Sequence, residues 1–177
     1  MGAWVQILHP PQLRKGIMKH YFTVVDFETA TNAEFINTIK VPFVVVSIVS
    51  PEMQDYEIPY NTQCYDVLYL RFHDILSDGH IQSLNEVGDK IVPINDEHID
   101  KILDFAERYN HIKDWLIHCE AGMSRSPAVA LALSEILNGG ERHEGFVKTM
   151  YPKIHNNIKV RKAILNKHYH KTLSVSG

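Results

Sequence analysis

The chain is poor in several features that would each have assigned it to a class. It has two cysteines, Cys64 and Cys119, in 177 residues, too few for the disulfide framework of a small secreted domain. That count, together with a Met1–Pro11 segment lacking a basic, long apolar leader, predicts a reducing, cytoplasmic location. No apolar run approaches the roughly 20 residues that a membrane-spanning helix needs. The formal net charge of −3 gives no general attraction to nucleic acid or to an anionic membrane, so neither is expected as a partner. Internal repeats and low-complexity segments are absent. The eleven histidines are scattered, with no His-Glu-x-x-His and no Cys-x-x-Cys, so no metal and no cofactor is expected.

What remains is an ordinary globular composition, 45% hydrophobic and 22% charged, at a length suited to one domain with a real core. Residues 1–20, with Pro10-Pro11 and the basic Arg14, Lys15 and Lys19, read as an N-terminal extension, 21–170 as the domain and 171–177 as a C-terminal tail. Phe22–Phe27 is apolar and β-branched, a strand signal. Thr29–Ile39 reads as a short helix. Phe43–Val49 is a continuous apolar run ended by Pro51, the pattern of a strand buried on both faces. Val67–Phe72 reads as a further strand, and Ser77–Pro93 as a polar loop over the site. Asn95, followed by Asp96 and Glu97, reads as a helix N-cap, with Ile99, Ile102, Ala106 and Tyr109 on one face. Asp114–His118 is a strand and Pro127–Leu137 a helix stopped at Gly139-Gly140, with more helix through residue 167. Strands alternating with helices predict a single α/β domain with a mainly parallel central sheet flanked by helices.

The most informative stretch joins that last strand to its helix: His118-Cys119-Glu120-Ala121-Gly122-Met123-Ser124-Arg125-Ser126. A small-residue loop between a strand and a helix N-terminus is an anion site, because the first backbone N–H groups of a helix have no intrahelical partner and carry the positive end of its dipole. A thiol held there beside a guanidinium loses its proton more readily and becomes a nucleophile. A bare Cys-x5-Arg occurs by accident. The histidine before it, the glycine, the serine after it, the apolar strand and the following helix together do not.

This stretch resembles the His-Cys-x-x-Gly-x-x-Arg-Ser/Thr signature of the cysteine-dependent protein tyrosine phosphatase superfamily. Its Ala-Gly-x-Ser-Arg-Ser wording is most similar to the small dual-specificity branch and its prokaryotic and viral relatives. The classical tyrosine-specific domains are longer, the low-molecular-weight class carries its motif near the N-terminus, and the frame fits sulfurtransferases poorly. The resemblance implies a phosphatase-type fold with a phosphate-binding loop between strand and helix. It further implies that Cys119 is the nucleophile and that Arg125 clamps two phosphate oxygens with its planar donor fork. The backbone N–H groups of Glu120, Ala121, Gly122, Met123, Ser124 and Arg125 would surround the other oxygens, and Gly122 would permit the tight turn. Ser126 would hydrogen-bond the sulfur, and His118 would support the loop from behind rather than serve as a base.

A departing alkoxide or phenoxide needs a proton, supplied in such chemistry by a loop carboxylic acid. Asp74, directly after a strand signal, is the first candidate and Asp78 the second. Asp96 and Glu97 are explained already by helix capping. The variable loop positions carry Glu120 and no added Lys or Arg, which speaks against highly phosphorylated lipid headgroups. Glu120 itself also fits a solvent-facing or locally paired carboxylate. His155-Asn156-Asn157-Ile158 loosely resembles a Pro-Asn segment that packs beneath the loop in relatives, but it lacks the proline, and no site residue is assigned there. Cys64 reads as a packed thiol.

The expected function is phosphomonoester hydrolysis through a cysteinyl-phosphate intermediate, on phosphotyrosine proteins and conceivably phosphoserine or phosphothreonine proteins. The alternatives are a phosphatase for an RNA 5′ end, nucleotide or inositol phosphate, and a weakly catalytic phosphoprotein-binding module. Oligomeric state and physiological substrate are not legible in the sequence.

Overall fold

In the computed structural model, described for residues 19–76, 91–139, 146–149 and 157–175, the apolar run becomes the strand β2 (Phe43–Val49), and every one of its residues is buried. It lies inside a five-stranded sheet with β1 (Tyr21–Val25), β3 (Cys64–Arg71), β4 (Asp114–His118) and β5 (Val147–Thr149), ordered β3-β2-β4-β1-β5. All four neighbouring pairs are parallel. The expected α/β architecture, a parallel sheet flanked by helices, is the observed one.

Alternation along β2 divides the core between the two faces of the sheet. Val44, Val46 and Ile48 enter the larger cluster with Phe22, Trp115, Ile117, Ile102, Val129 and Leu133. This side is covered by helices α3 (Asp96–Arg108), α4 (Arg125–Leu137) and α5 (Ile158–Val175). Phe43 and Val45 enter a smaller cluster with Val25, Leu116, Ala30 and Ile36, beneath the short helices α1 (Phe27–Ala30) and α2 (Ala33–Thr38).

Several boundaries differ from those read in the sequence. The single helix expected over Thr29–Ile39 is two, because Asp26 caps α1 through Thr29 N while Asn32 caps α2 through Glu34 N and Phe35 N. Two capping side chains six residues apart start two helices where periodicity suggests one. The third strand begins earlier, at Cys64, and β5 is an addition at the sheet edge. Helix α3 has the expected Asn95 cap, with His98 completing a capping box. Helix α4 begins at Arg125, and its stop is Gly139, at φ +79. Helix α5 runs through Val175. Of the loop expected over Ser77–Pro93, residues 77–90, including Asp78, lie outside the described residues, as do residues 1–18. Among the described residues, no helix is long and apolar enough to cross a membrane.

Candidate active site

The loop 119–125 leaves the carboxyl end of β4, a central strand, and feeds α4. It can close so tightly because of Gly122. Its φ of +68 is in the left-handed region, and a Cβ there would sit 2.8 Å from Val25 C and O and 2.9 Å from Asp26 N. The end of β1 therefore presses against the loop, and only a residue without a side chain fits. Next to it, Phe27 N donates to Glu120 O at 3.1 Å, tying the start of α1 to the same turn.

Cys119 is buried, which by itself would suit an inert core thiol. Its surroundings are more polar than a core thiol's. Ser126 Oγ donates to Cys119 Sγ at 3.1 Å, so the sulfur has a dedicated polar partner. Arg125 shares the same end of the sheet and is also buried, a costly position for a cation. Its Nη1 donates to Phe72 O at 2.7 Å and to Ser50 Oγ at 3.4 Å, and its Nη2 lies 3.3 Å from Glu120 Oε2. Arg125 Nε is buried without a hydrogen-bond partner among the described residues. A buried guanidinium N–H left unmatched is a donor waiting for an acceptor.

Glu120 does not simply face solvent. Besides pairing with Arg125, its Oε1 accepts from Ser50 N at 2.7 Å. Burial pushes this carboxyl up, but the Ser50 hydrogen bonds and the Arg125 charge outweigh burial and hold it below the usual carboxylate range.

Ser124, the residue before α4, makes no side-chain cap to its helix. Its Oγ donates instead to Asp74 Oδ1 at 2.8 Å. The N-terminus of α4 thus keeps its backbone donors clear of the usual side-chain cap, and Asp74 is brought to the loop. The same Asp74 oxygen accepts from Asn157 Nδ2 at 2.8 Å, and Asn157 Nδ2 also donates to Ile75 O at 3.1 Å. Asn157 is buried, and its Oδ1 accepts from Val160 N at 3.1 Å, capping α5. Its backbone N–H donates to Ser124 O at 3.4 Å. One residue therefore links the carboxylate, the loop and a helix. Sequence reasoning noticed the segment and assigned it no role, since the missing proline removed the local signal.

Behind the loop, His118 is fully buried on the face under α1 and α2. Its Nε2 lies 2.6 Å from Ser47 Oγ, which lies 2.5 Å from Tyr56 OH. Phe27 and Tyr56 stack at tilted and edge angles around the ring. Burial drives the imidazole pKa down to about 4, against the upward pull of the Cys119 backbone and Asp26 and with a downward push from Arg125. At neutral pH it is uncharged, and what it gives Cys119 is position. Neither Ser47 nor Tyr56 is marked by any motif; a lone serine inside the otherwise apolar β2 is the only trace.

The structure thus gathers Cys119, Glu120, Gly122, Ser124, Arg125, Ser126, His118 and Asp74 at one end of the sheet, with Ala121 and Met123 in the same loop. Asp96 and Glu97 stand at the start of α3, where Asp96 meets Lys167 and Glu97 meets Lys101. Cys64, at the opposite end of β3, is a partly buried thiol whose pKa burial pushes up. Among the described residues no group of three or more His, Cys, Asp or Glu is arranged to hold a metal ion.

No family model matches the chain. No curated protein matches it in sequence. Among solved structures, the crystal structure of human tyrosine phosphatase-like serine/threonine/tyrosine-interacting protein is similar at 18% identity and a TM-score of 0.47, over 85% of this chain and 91% of that one. That is a general likeness of fold, and no residue role is taken from it.

Proposed function

We propose that the protein is a metal-independent phosphomonoester hydrolase that works through a cysteinyl-phosphate intermediate, with phosphotyrosine proteins as the first substrate class. The observation that carries this reading is the buried Arg125, whose Nε is unmatched, on the same short loop as a thiol with its own hydroxyl partner.

The placement supports the following chemistry. The Cys119 thiolate attacks phosphorus, forming an S–P bond as the ester P–O bond breaks, and Asp74 gives its proton to the departing oxygen. Water then attacks the phosphocysteine, Asp74 takes the water's proton, and the S–P bond breaks with Ser126 Oγ hydrogen-bonding the leaving sulfur. Arg125 and the backbone N–H groups of residues 120–125 neutralise the equatorial oxygens throughout. Such fixed donors are the largest single contribution in comparable sites, where removing one costs on the order of 10²–10³ in rate. General acid help adds about 10²–10⁴.

The test is hydrolysis of p-nitrophenyl phosphate and of a phosphotyrosine peptide in excess chelator. Wild type turns over both, and Cys119→Ser neither. Asp74→Asn loses about 10²-fold or more in kcat on the peptide, with KM little changed. Peptide turnover untouched by Asp74→Asn would remove Asp74 from the mechanism. Absence of turnover in reduced, folded wild type that still binds the phosphopeptide would replace the enzyme by a phosphoprotein-binding module.

A further inference from the structure

The hydrogen bonds that build the loop also surround it with carboxylates. Ser50 is tied to Glu120 and Arg125, so the segment it opens, 50–56, lies against the loop. Two residues on, Glu52 Oε2 is 3.0 Å from His73 Nε2, with the Glu52 side chain 70% exposed. His73 directly precedes Asp74. Asp55, fully exposed, lies 3.0 Å from Arg71 Nη2, while Arg71 Nη1 grips Met53 O at 2.6 Å and Pro51 O at 3.3 Å. On the opposite flank, the Phe27–Glu120 backbone contact brings up Asp26 and the exposed Glu28.

The cations that these contacts place here, Arg71 and Arg125, each already face a carboxylate. Among the described residues Glu52 is matched by a histidine, and Glu28 is exposed. Among the described residues, the unmatched Arg125 Nε–H donor therefore sits within a rim of net negative charge. Independently of the rim, that buried donor marks the place where an anion enters.

From this we infer, on the reading that the loop binds a phosphomonoester, that the preferred substrate is a phosphotyrosine peptide with Lys and Arg flanking the phosphorylated residue. A single phosphate reaches the donor at the loop, while further negative charge at the rim meets Glu52 and Glu28. Exposed charges interact over about one Debye length, near 10 Å at 0.1 M salt, which spans the residues flanking a bound phosphotyrosine. The rim sets which partner is attracted and leaves the chemical step alone.

The experiment compares phosphotyrosine peptides of equal length with basic, neutral or acidic flanks and a 5′-phosphorylated oligonucleotide. Binding is read by fluorescence anisotropy on Cys119→Ser protein, and turnover on wild type. Below about 50 mM salt the basic peptide is expected to bind about tenfold tighter than the acidic one, with the gap shrinking as salt is raised. The double variant Glu28→Gln, Glu52→Gln, both at exposed positions, is expected to narrow the gap to about threefold or less and to leave p-nitrophenyl phosphate turnover unchanged. Equal or tighter binding of the acidic peptide or the oligonucleotide overturns the inference, as does a gap the double variant leaves intact. Failure to bind any phosphopeptide also overturns it. Wild-type turnover of p-nitrophenyl phosphate then reports separately on the proposed function, since that substrate carries no flanking charge.

Discussion

Behind Cys119, the chain holds His118 with neutral hydroxyls from Ser47 and Tyr56 and with the rings of Phe27 and Tyr56. In front of it, the loop is held by charge: Arg125 with Glu120, and Asp74 with Ser124 and Asn157. The rear partners are directional and short, and none needs an ion, so the rear keeps its shape whatever occupies the front. The front partners are the kind an incoming dianion can compete with, because a phosphate offers Arg125 the same acceptors that Glu120 does. A rigid, neutral wall and an exchangeable, charged face divide the work of one loop.

The comparison breaks most severely at Gly122, where wall and face meet β1. Gly122→Ala would force a Cβ to within 2.8 Å of Val25 backbone atoms and hold an L-residue at φ +68. The expected loss is about 4 kcal/mol of stability or more, read by urea denaturation, with the loop's activity lost alongside. A fully stable, active Gly122→Ala would mean that the loop does not close against β1.

The next effect isolates the wall. His118 falls to about 4 in the folded protein from the 6.5 of an unfolded histidine. Between those values the unfolded chain binds a proton that the folded one refuses, so stability is fully present above pH 6.5 and falls as pH drops toward 4. The full difference is on the order of 3 kcal/mol. His98, which burial also pushes down, adds a slope of the same sign. Urea unfolding of wild type and His118→Gln at pH 7 and 4.5 separates the two: most of the wild-type slope is expected to vanish in the variant. An equal slope in both would place the proton uptake elsewhere.

The smallest effect sharpens the face. Asn157→Ala removes the side-chain amide that ties Asp74 to the start of α5 and caps that helix. We expect about a tenfold loss of kcat on a phosphotyrosine peptide with KM little changed, and a much smaller loss on p-nitrophenyl phosphate, whose leaving group needs little protonation. Asn157→Asp, which can still cap the helix, restores stability but not the peptide rate. Equal losses on both substrates would mean that Asn157 merely supports the fold.

The sheet and the loop were readable because each rests on a local pattern. Phe43–Val49 is apolar but for Ser47, and it is buried on two faces, while Asp114–His118 with its loop is one contiguous stretch. Asp74 was findable because it follows a strand signal directly. Asn157 was not, since its partners Asp74 and Ser124 are 83 and 33 residues away and nothing local marks a long-range amide. Ser47 and Tyr56 escaped for the same reason: a hydroxyl in an apolar strand gains its meaning only when β2 pairs with β4. The break at Thr31-Asn32 was hidden because two caps within one periodic stretch look like one helix. β5, three residues long, is a strand only through its pairing with β1.

The sheet order carries a consequence for how this chain is made. β2 and β3 are neighbours in sequence and in the sheet, so they can pair early. β1 sits between β4 and β5, and both of those follow it on the chain, at Asp114–His118 and Val147–Thr149. During synthesis at about 5–20 residues per second, Tyr21–Val25 must therefore spend several seconds as an apolar segment with no strand beside it. It needs shielding over that interval, and the loop that leans on its end through Gly122 can be assembled only after β4 has left the exit tunnel.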